Sequence, residues 1–331
     1  MLMDGRMTSV KIVTDSTAYI PSELVIRYDI RVVPLNVVFG TTSYAEGVDI
    51  TNEEFYDRLI HSKSLPATSH PSNTEFLKTY TDIVDEGNSV LSIHVSGKLS
   101  RTIKSAMSAS RELPDSQIEV MDSCLTAMAL GMVVLAAGRA ADEGQPLSEI
   151  KKLVAQLVKQ VNLLFAVDTL EYLHKGGHLG STRVLLDTLL KIKPILCLKD
   201  GRIQPVSRIR AKPKVIECLL KLMEERVPQN RPVHVAIIHA QAFDKAVALE
   251  KQVRDRFPCK EIHFSEVGPV IGTHVGPGAI GLAFYSDTGP APTPMPQTWE
   301  QSTVTMQNSS QASQKSYASR LRPGGDIPPL C

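Results

Sequence analysis

The chain has 331 residues, with 36 Lys plus Arg against 35 Asp plus Glu. That balance leaves no global basicity for nucleic-acid binding, and the length suits two domains of ordinary size. The five cysteines are widely spaced, odd in number and form no CxxC pair, which fits reduced thiols in a cytosolic protein better than disulfides or a zinc site.

Val10–Thr14 reads as a short buried strand with Asp15-Ser16-Thr17 at its carboxyl end, and Pro21-Ser22-Glu23 opens a short helix. Arg31–Phe39 alternates and is rich in Val, a second strand. Thr51-Asn-Glu-Glu54 and Ser72-Asn-Thr-Glu75 are capping boxes, each starting a helix. Ser89–Val95 is a strand, Thr102–Leu113 a helix stopped by Pro114, Gln117–Met121 a strand, and Leu125–Ala141 and Leu147–Val161 helices. The apolar run Ser123–Gly138 spans sixteen residues without a charge. A membrane-spanning helix needs roughly 20, so this is a buried helix of a soluble protein. The N-terminus has no apolar signal core, so the expected location is cytoplasmic. Strands alternating with helices of this length predict an α/β layer with a mostly parallel sheet.

Beyond the strand Leu163–Asp168 the pattern changes. Lys193–Ile209 reads as a hairpin turning at Asp200-Gly201, a dipeptide favoured in type I′ turns. Helix Lys214–Arg226, strand Val233–His239, helix Ala242–Phe257 and strand Lys260–Glu266 follow, an α+β pattern. The expected division is a leader, 1–9; an N-terminal α/β domain, 10–165; a C-terminal α+β domain, 166–285; and a disordered Pro/Ser/Thr/Gln-rich tail, 286–331. Glu266–Tyr285 closes the ordered chain, and seven of its twenty residues are Gly or Pro, which is loop composition. It holds His274 among glycines and a literal GxGxxG from Gly276. No βαβ unit follows, so dinucleotide binding is rejected.

Three hydroxyl-bearing loops lie at strand ends or helix starts: Asp15-Ser-Thr, Ala67-Thr-Ser-His-Pro-Ser72 and Ser96-Gly-Lys-Leu-Ser100. Ser100 is placed to cap the next helix. Capping explains most such Ser and Thr, but helix N-termini also suit a carboxylate or phosphate. Three of them with a Gly-flanked His point to a small-anion site. Catalytic signatures are missing: the chain has no GxSxG elbow, P-loop or kinase set. A Ser100–His274–Asp15 triad can be drawn, which keeps a small hydrolase of acyl or phosphate esters as the alternative. His174 and His178 flank Gly176-Gly177 with no third ligand, so no metal is expected. Arg202, Arg208, Arg210, Lys212 and Lys214 form a basic cluster, a solvated face or a docking patch.

TDSTAYIP, YAEGVDIT, TSHPS, SGKLSRTIKSA, LEYLHKGGHLG, the KPIL…GRI hairpin and VGPVIGTHVGPGAIGLAFY occur in that order. Together they resemble the DegV family of bacterial fatty-acid-binding proteins over residues 10–285. The resemblance implies two α/β domains with a long-chain fatty acid between them. It implies a non-catalytic carrier without a cofactor, in phospholipid metabolism. A separate ATP-dependent fatty acid kinase subunit would phosphorylate the bound carboxylate to an acyl-phosphate. The carboxylate is expected at Thr68 and Ser100 with His274 nearby, and Ser69, Ser96 and Gly276 around them. The chain departs from the family pattern at His70, at Arg101, and at His174 and His178, where arginines are usual. Those two histidines, with Arg208 and Arg210, are the implied kinase-docking positions.

Overall fold

The computed structural model describes residues 9–62, 64–178, 193–209, 215–228 and 231–286. They fall in one unit, Met1–Pro292, and the other, Thr293–Cys331, lies outside the described residues. The expected tail therefore goes undescribed, apart from Ser286 at the end of the last strand. In chain order the first elements are β1 (Val10–Asp15), α1 (Ser22–Arg27), β2 (Arg31–Val33), β3 (Asn36–Phe39), β4 (Thr42–Ala45), α2 (Asn52–His61) and β5 (Ala67–Ser69). Then come α3 (Asn73–Asp85), β6 (Ser89–His94), α4 (Thr102–Arg111), β7 (Ile118–Asp122), α5 (Ala127–Asp142) and α6 (Leu147–Leu157). The second half holds β8 (Asn162–Ala166), α7 (Glu171–Lys175), β9 (Lys193–Lys199), β10 (Arg202–Ile209) and α8 (Val215–Glu224). It ends with β11 (Val233–His239), α9 (Phe243–Arg256), β12 (Cys259–Glu266), α10 (Pro269–Val275) and β13 (Ile280–Ser286).

The expected parallel sheet is present, in the order β2-β1-β6-β7 with every pairing parallel. Successive side chains of a strand point to opposite faces. Ile12, Leu91 and Ile93 therefore join the core around α5, while Val13 and Val90 pack with Phe76, Tyr80 and Ile83 of α3. Both faces are covered, which is why these strands are apolar almost throughout. A second sheet of six strands runs β10-β9-β8-β13-β11-β12 and is antiparallel except for the parallel pair β11–β12. The helix α5 touches β1 as well as β11 and β13. Buried between two sheets, it has no solvent face to keep polar, hence its continuous apolar run.

Local signals behave as their chemistry dictates. Both capping boxes form, Thr51 with Glu54 and Ser72 with Glu75. Asp200 and Gly201 take φ of 49° and 73°, the left-handed pair a type I′ turn requires. Two readings need correcting. Arg31–Phe39 is two strands, because Pro34 has no N–H to continue a ladder. Val33 ends beside Asp15 in the parallel sheet, whereas Asn36 begins β3 of a separate antiparallel sheet, β4-β3-β5. The Gly-rich stretch Glu266–Tyr285 is not all loop: it contains α10, opened by Gly268 and Pro269 and ended by Gly276 at φ 69°. Among the described residues, no helix is long and apolar enough to cross a membrane.

Candidate functional site

A cavity of about 280 Å³ opens where the carboxyl ends of β1 and β6 meet β5, α10 and the second sheet. Leu35, Val95, Leu163, Phe165, Ile238 and Ile271 give its wall an apolar character. Its polar groups include Thr68, Ser69, His70, Ser100, Arg101 and His274. Ser69, His70 and Arg101 are exposed, so they mark the open side.

Each polar group is set by a different element. Thr68 sits on β5, opposite Val37 of β3. Its Oγ1 lies 3.0 Å from Nε2 of His274 on α10. The other ring nitrogen, Nδ1, is buried without a partner among the described residues. A buried N–H without an acceptor costs more than an unused lone pair, so we assign the proton to Nε2. His274 then donates to Thr68, and the threonine hydrogen is free to point into the cavity. Burial, and secondarily the neighbouring His178, push the His274 pKa down to about 3. The imidazole is therefore neutral near pH 7. His178 meets it edge-on, with ring centroids 4.4 Å apart.

Ser100, the expected cap, lies one residue upstream of the cap observed. The N-cap of α4 is Arg101, which makes no side-chain capping bond. Ser100 Oγ instead accepts from the Thr102 N–H at 3.2 Å and lies 2.8 Å from Thr102 Oγ1. The hydroxyl still reaches the cavity wall. Arg101 makes no ion pair with any described residue, which leaves a guanidinium at the opening.

The helix carrying His274 is capped from far away in sequence. Gly268, its N-cap, has no side chain to satisfy the first N–H groups. Glu46, from the loop after β4, accepts from the Val270 N–H at 2.7 Å, and Tyr19 Oη accepts from the Ile271 N–H at 3.0 Å. Tyr19 in turn donates to Glu46 at 2.8 Å. Burial raises the Glu46 pKa to about 7 against these hydrogen bonds. Behind α10, a Cβ on Gly272 would lie 2.7 Å from Phe55 Cε1 and 2.9 Å from Tyr56 Oη. Gly272→Ala is expected to lower stability by about 1–3 kcal/mol through overpacking. It should also weaken ligand binding by shifting His274; an unchanged melting midpoint would show that α10 moves freely.

The triad drawn from the sequence is not assembled. Asp15 is fully buried and bonds His94 Nδ1 at 3.0 Å and the Val95 N–H at 2.9 Å. His94 continues to Ser92 and Tyr80, a network inside the α3 side of the sheet. Of the other expected positions, Ser69 lines the cavity, but Ser96 does not and donates to the Gly201 carbonyl at 2.9 Å. Gly276 ends α10 outside the wall. His174 is exposed at the end of α7, whereas His178 is in the wall. The Arg208 side chain and all of Arg210 lie outside the described residues. Sequence reasoning had no signal for the roles of Glu46 and Tyr19, since each depends on contacts between distant segments.

Residues 9–287 match the family model described as an uncharacterised protein of the DegV family. The chain belongs to the DegV family. A DegV domain-containing protein of Streptomyces coelicolor is 39% identical over 279 residues, covering 84% of this chain and 98% of its own length. The solved structure of a DegV family protein from Thermus thermophilus, described as binding fatty acid, aligns with a TM-score of 0.79 at 34% identity. That alignment covers 84% of this chain and 100% of the other. DegV of Bacillus subtilis, described as a fatty acid binding protein, aligns with a TM-score of 0.78 at 33% identity, covering 85% and 100%. The DegV architecture, a parallel sheet joined to a further mixed α/β layer, is the one described above.

Proposed function

We propose that the cavity takes a long-chain fatty acid and that the protein is a non-catalytic carrier for it. The observation that carries this reading is the Thr68–His274 hydrogen bond on the wall of an otherwise largely apolar cavity. It leaves one hydroxyl hydrogen for a carboxylate oxygen, and Ser100 supplies a second hydroxyl. The acyl chain supplies most of the affinity, since each buried methylene is worth roughly 0.8 kcal/mol, and the polar groups supply orientation. In this reading the ligand lies between an N-terminal domain, 10–165, and a C-terminal domain, 166–285.

The carboxylate end faces the open side, where Ser69, His70 and Arg101 are exposed. That placement supports presentation of the carboxylate to a separate ATP-dependent kinase subunit, which would form the acyl-phosphate in a cytoplasmic step of phospholipid metabolism. Docking of that subunit involves the surface around His174, with Arg208 and Arg210. A neutral His274 without a carboxylate partner favours a binding role over general-base hydrolysis.

Mass spectrometry of the intact protein under native conditions, then of its organic extract, tests the cargo. One long-chain fatty acid per chain is expected. Protein that is repeatedly free of lipid, and takes up none when it is added, would overturn the reading.

A further inference from the structure

The cavity wall carries two buried polar groups that the carboxylate site leaves unused, His239 and Thr126, and Thr126 stands at the start of a long helix. The N-cap of α5 is Thr126, whose side chain makes no capping bond. Thr126 lines the cavity, is only 7% exposed, and its Oγ1 has no hydrogen-bond partner among the described residues. The other hydroxyls named in this wall each have a protein partner: Thr17 has Asp15, and the carboxylate-site hydroxyls of Thr68 and Ser100 have His274 and Thr102. Buried polar atoms almost always find a partner, so an unpaired one on a cavity wall marks where an oxygen or nitrogen of an occupant belongs. The α5 helix adds to this. It runs for 16 residues, its first N–H groups have no intrahelical acceptor, and its positive dipole end lies at Thr126.

We propose that Thr126 and the first turn of α5 form a second polar subsite within the cavity, for an oxygen function carried on the acyl chain of the ligand. A hydroxyl or keto group fits this chemistry. Its oxygen accepts from the helix N–H groups or from Thr126, and a hydroxyl can also donate to Thr126 Oγ1. A second carboxylate is disfavoured, because Arg101, exposed at the opening, is the one Lys or Arg among the described residues that line the cavity. The subsite rests on the fatty-acid reading and adds to it a preference for acids oxygenated along the chain.

Competitive displacement of a fluorescent fatty acid tests it, with stearic acid compared against positional isomers of hydroxystearic and ketostearic acid. One isomer, or a few adjacent ones, should bind about tenfold tighter than stearic acid, the gain from one well-made buried hydrogen bond. Thr126→Val keeps the shape and removes the hydroxyl, so it should abolish the advantage while leaving stearic acid within about twofold. Thr126→Ser should retain it. The subsite is overturned if no isomer exceeds stearic acid, if the advantage survives in Thr126→Val, or if that variant weakens all ligands alike. The wild-type comparison decides the matter even where a variant folds poorly. Failure of stearic acid itself to bind would instead overturn the fatty-acid reading, and the subsite with it.

Discussion

Ser100→Ala should weaken binding of a long-chain fatty acid about ten- to hundredfold, while the matching fatty alcohol and methyl ester lose far less. A charge-assisted hydrogen bond to a carboxylate is worth about 1.5–3 kcal/mol, which sets that range. The alcohol and ester carry no negative charge, so they have little of this bond to lose. Ser100 also accepts from the Thr102 N–H, so the variant loses a local contact at the start of α4. That defect costs on the order of 1 kcal/mol of stability and affects all three ligands together. Displacement titrations with acid, alcohol and ester therefore separate the two effects. Equal losses across the three would sink the carboxylate assignment while leaving the fold untouched. Thr68→Ala should follow the same pattern, since its hydroxyl lies between His274 and the cavity.

A comparable effect on stability is expected at Glu46, which touches neither the opening nor the expected carboxylate. Glu46→Ala removes the acceptor for Ser16, Tyr19 and the Val270 N–H at once. Each orphaned buried donor costs about 1–3 kcal/mol, so a loss of roughly 3 kcal/mol overall is expected after some rehydration. For a unit of this size that lowers the melting midpoint by about 6–12 °C. The pH dependence follows from the raised pKa. Folding lifts it from 4.5 to about 7, so the folded state prefers the protonated acid. The resulting stabilisation is complete below pH 4.5 and disappears as pH rises towards 7. Glu46→Gln mimics the protonated form at every pH. The stability of wild type relative to Glu46→Gln should therefore fall between pH 5 and 7, at up to about 1.4 kcal/mol per pH unit. His274 contributes in the opposite sense, because its depressed pKa removes stability as pH drops below 6.5. That contribution is common to both proteins and cancels in the difference. Denaturant melts at several pH values read the result directly, and a difference independent of pH would show that Glu46 stays ionised throughout.

The strongest sequence signals were those confined to a few consecutive residues. A capping box needs only Thr51 and Glu54, or Ser72 and Glu75, three positions apart, and both formed. Asp200-Gly201 determined its own turn, because left-handed φ at two adjacent residues is cheap for that pair. The apolar run in α5 was legible because it needs partners on all sides, whatever those partners are. Thr68, Ser100 and His274 were picked out as polar residues in loops at element ends, and all three reach the cavity wall.

What the sequence could not decide was how segments hundreds of residues apart satisfy one another. Glycines at 268, 272 and 276 spelled a loop, yet α10 forms because Glu46 and Tyr19 cap its N–H groups from the far side of the chain. Asp15 looked available for a triad, but the packing of β1 beside β6 commits it to His94 and Val95. Ser96 read as part of the anion site until the β9–β10 turn arrived to accept its hydrogen. Composition and short spacing therefore determined which elements exist and which polar groups stand at their ends. The tertiary structure alone decided which of those groups are used up by a neighbour and which remain free. A hydrogen-bond donor or acceptor is worth only what its actual partner makes it, and that partner is set by packing.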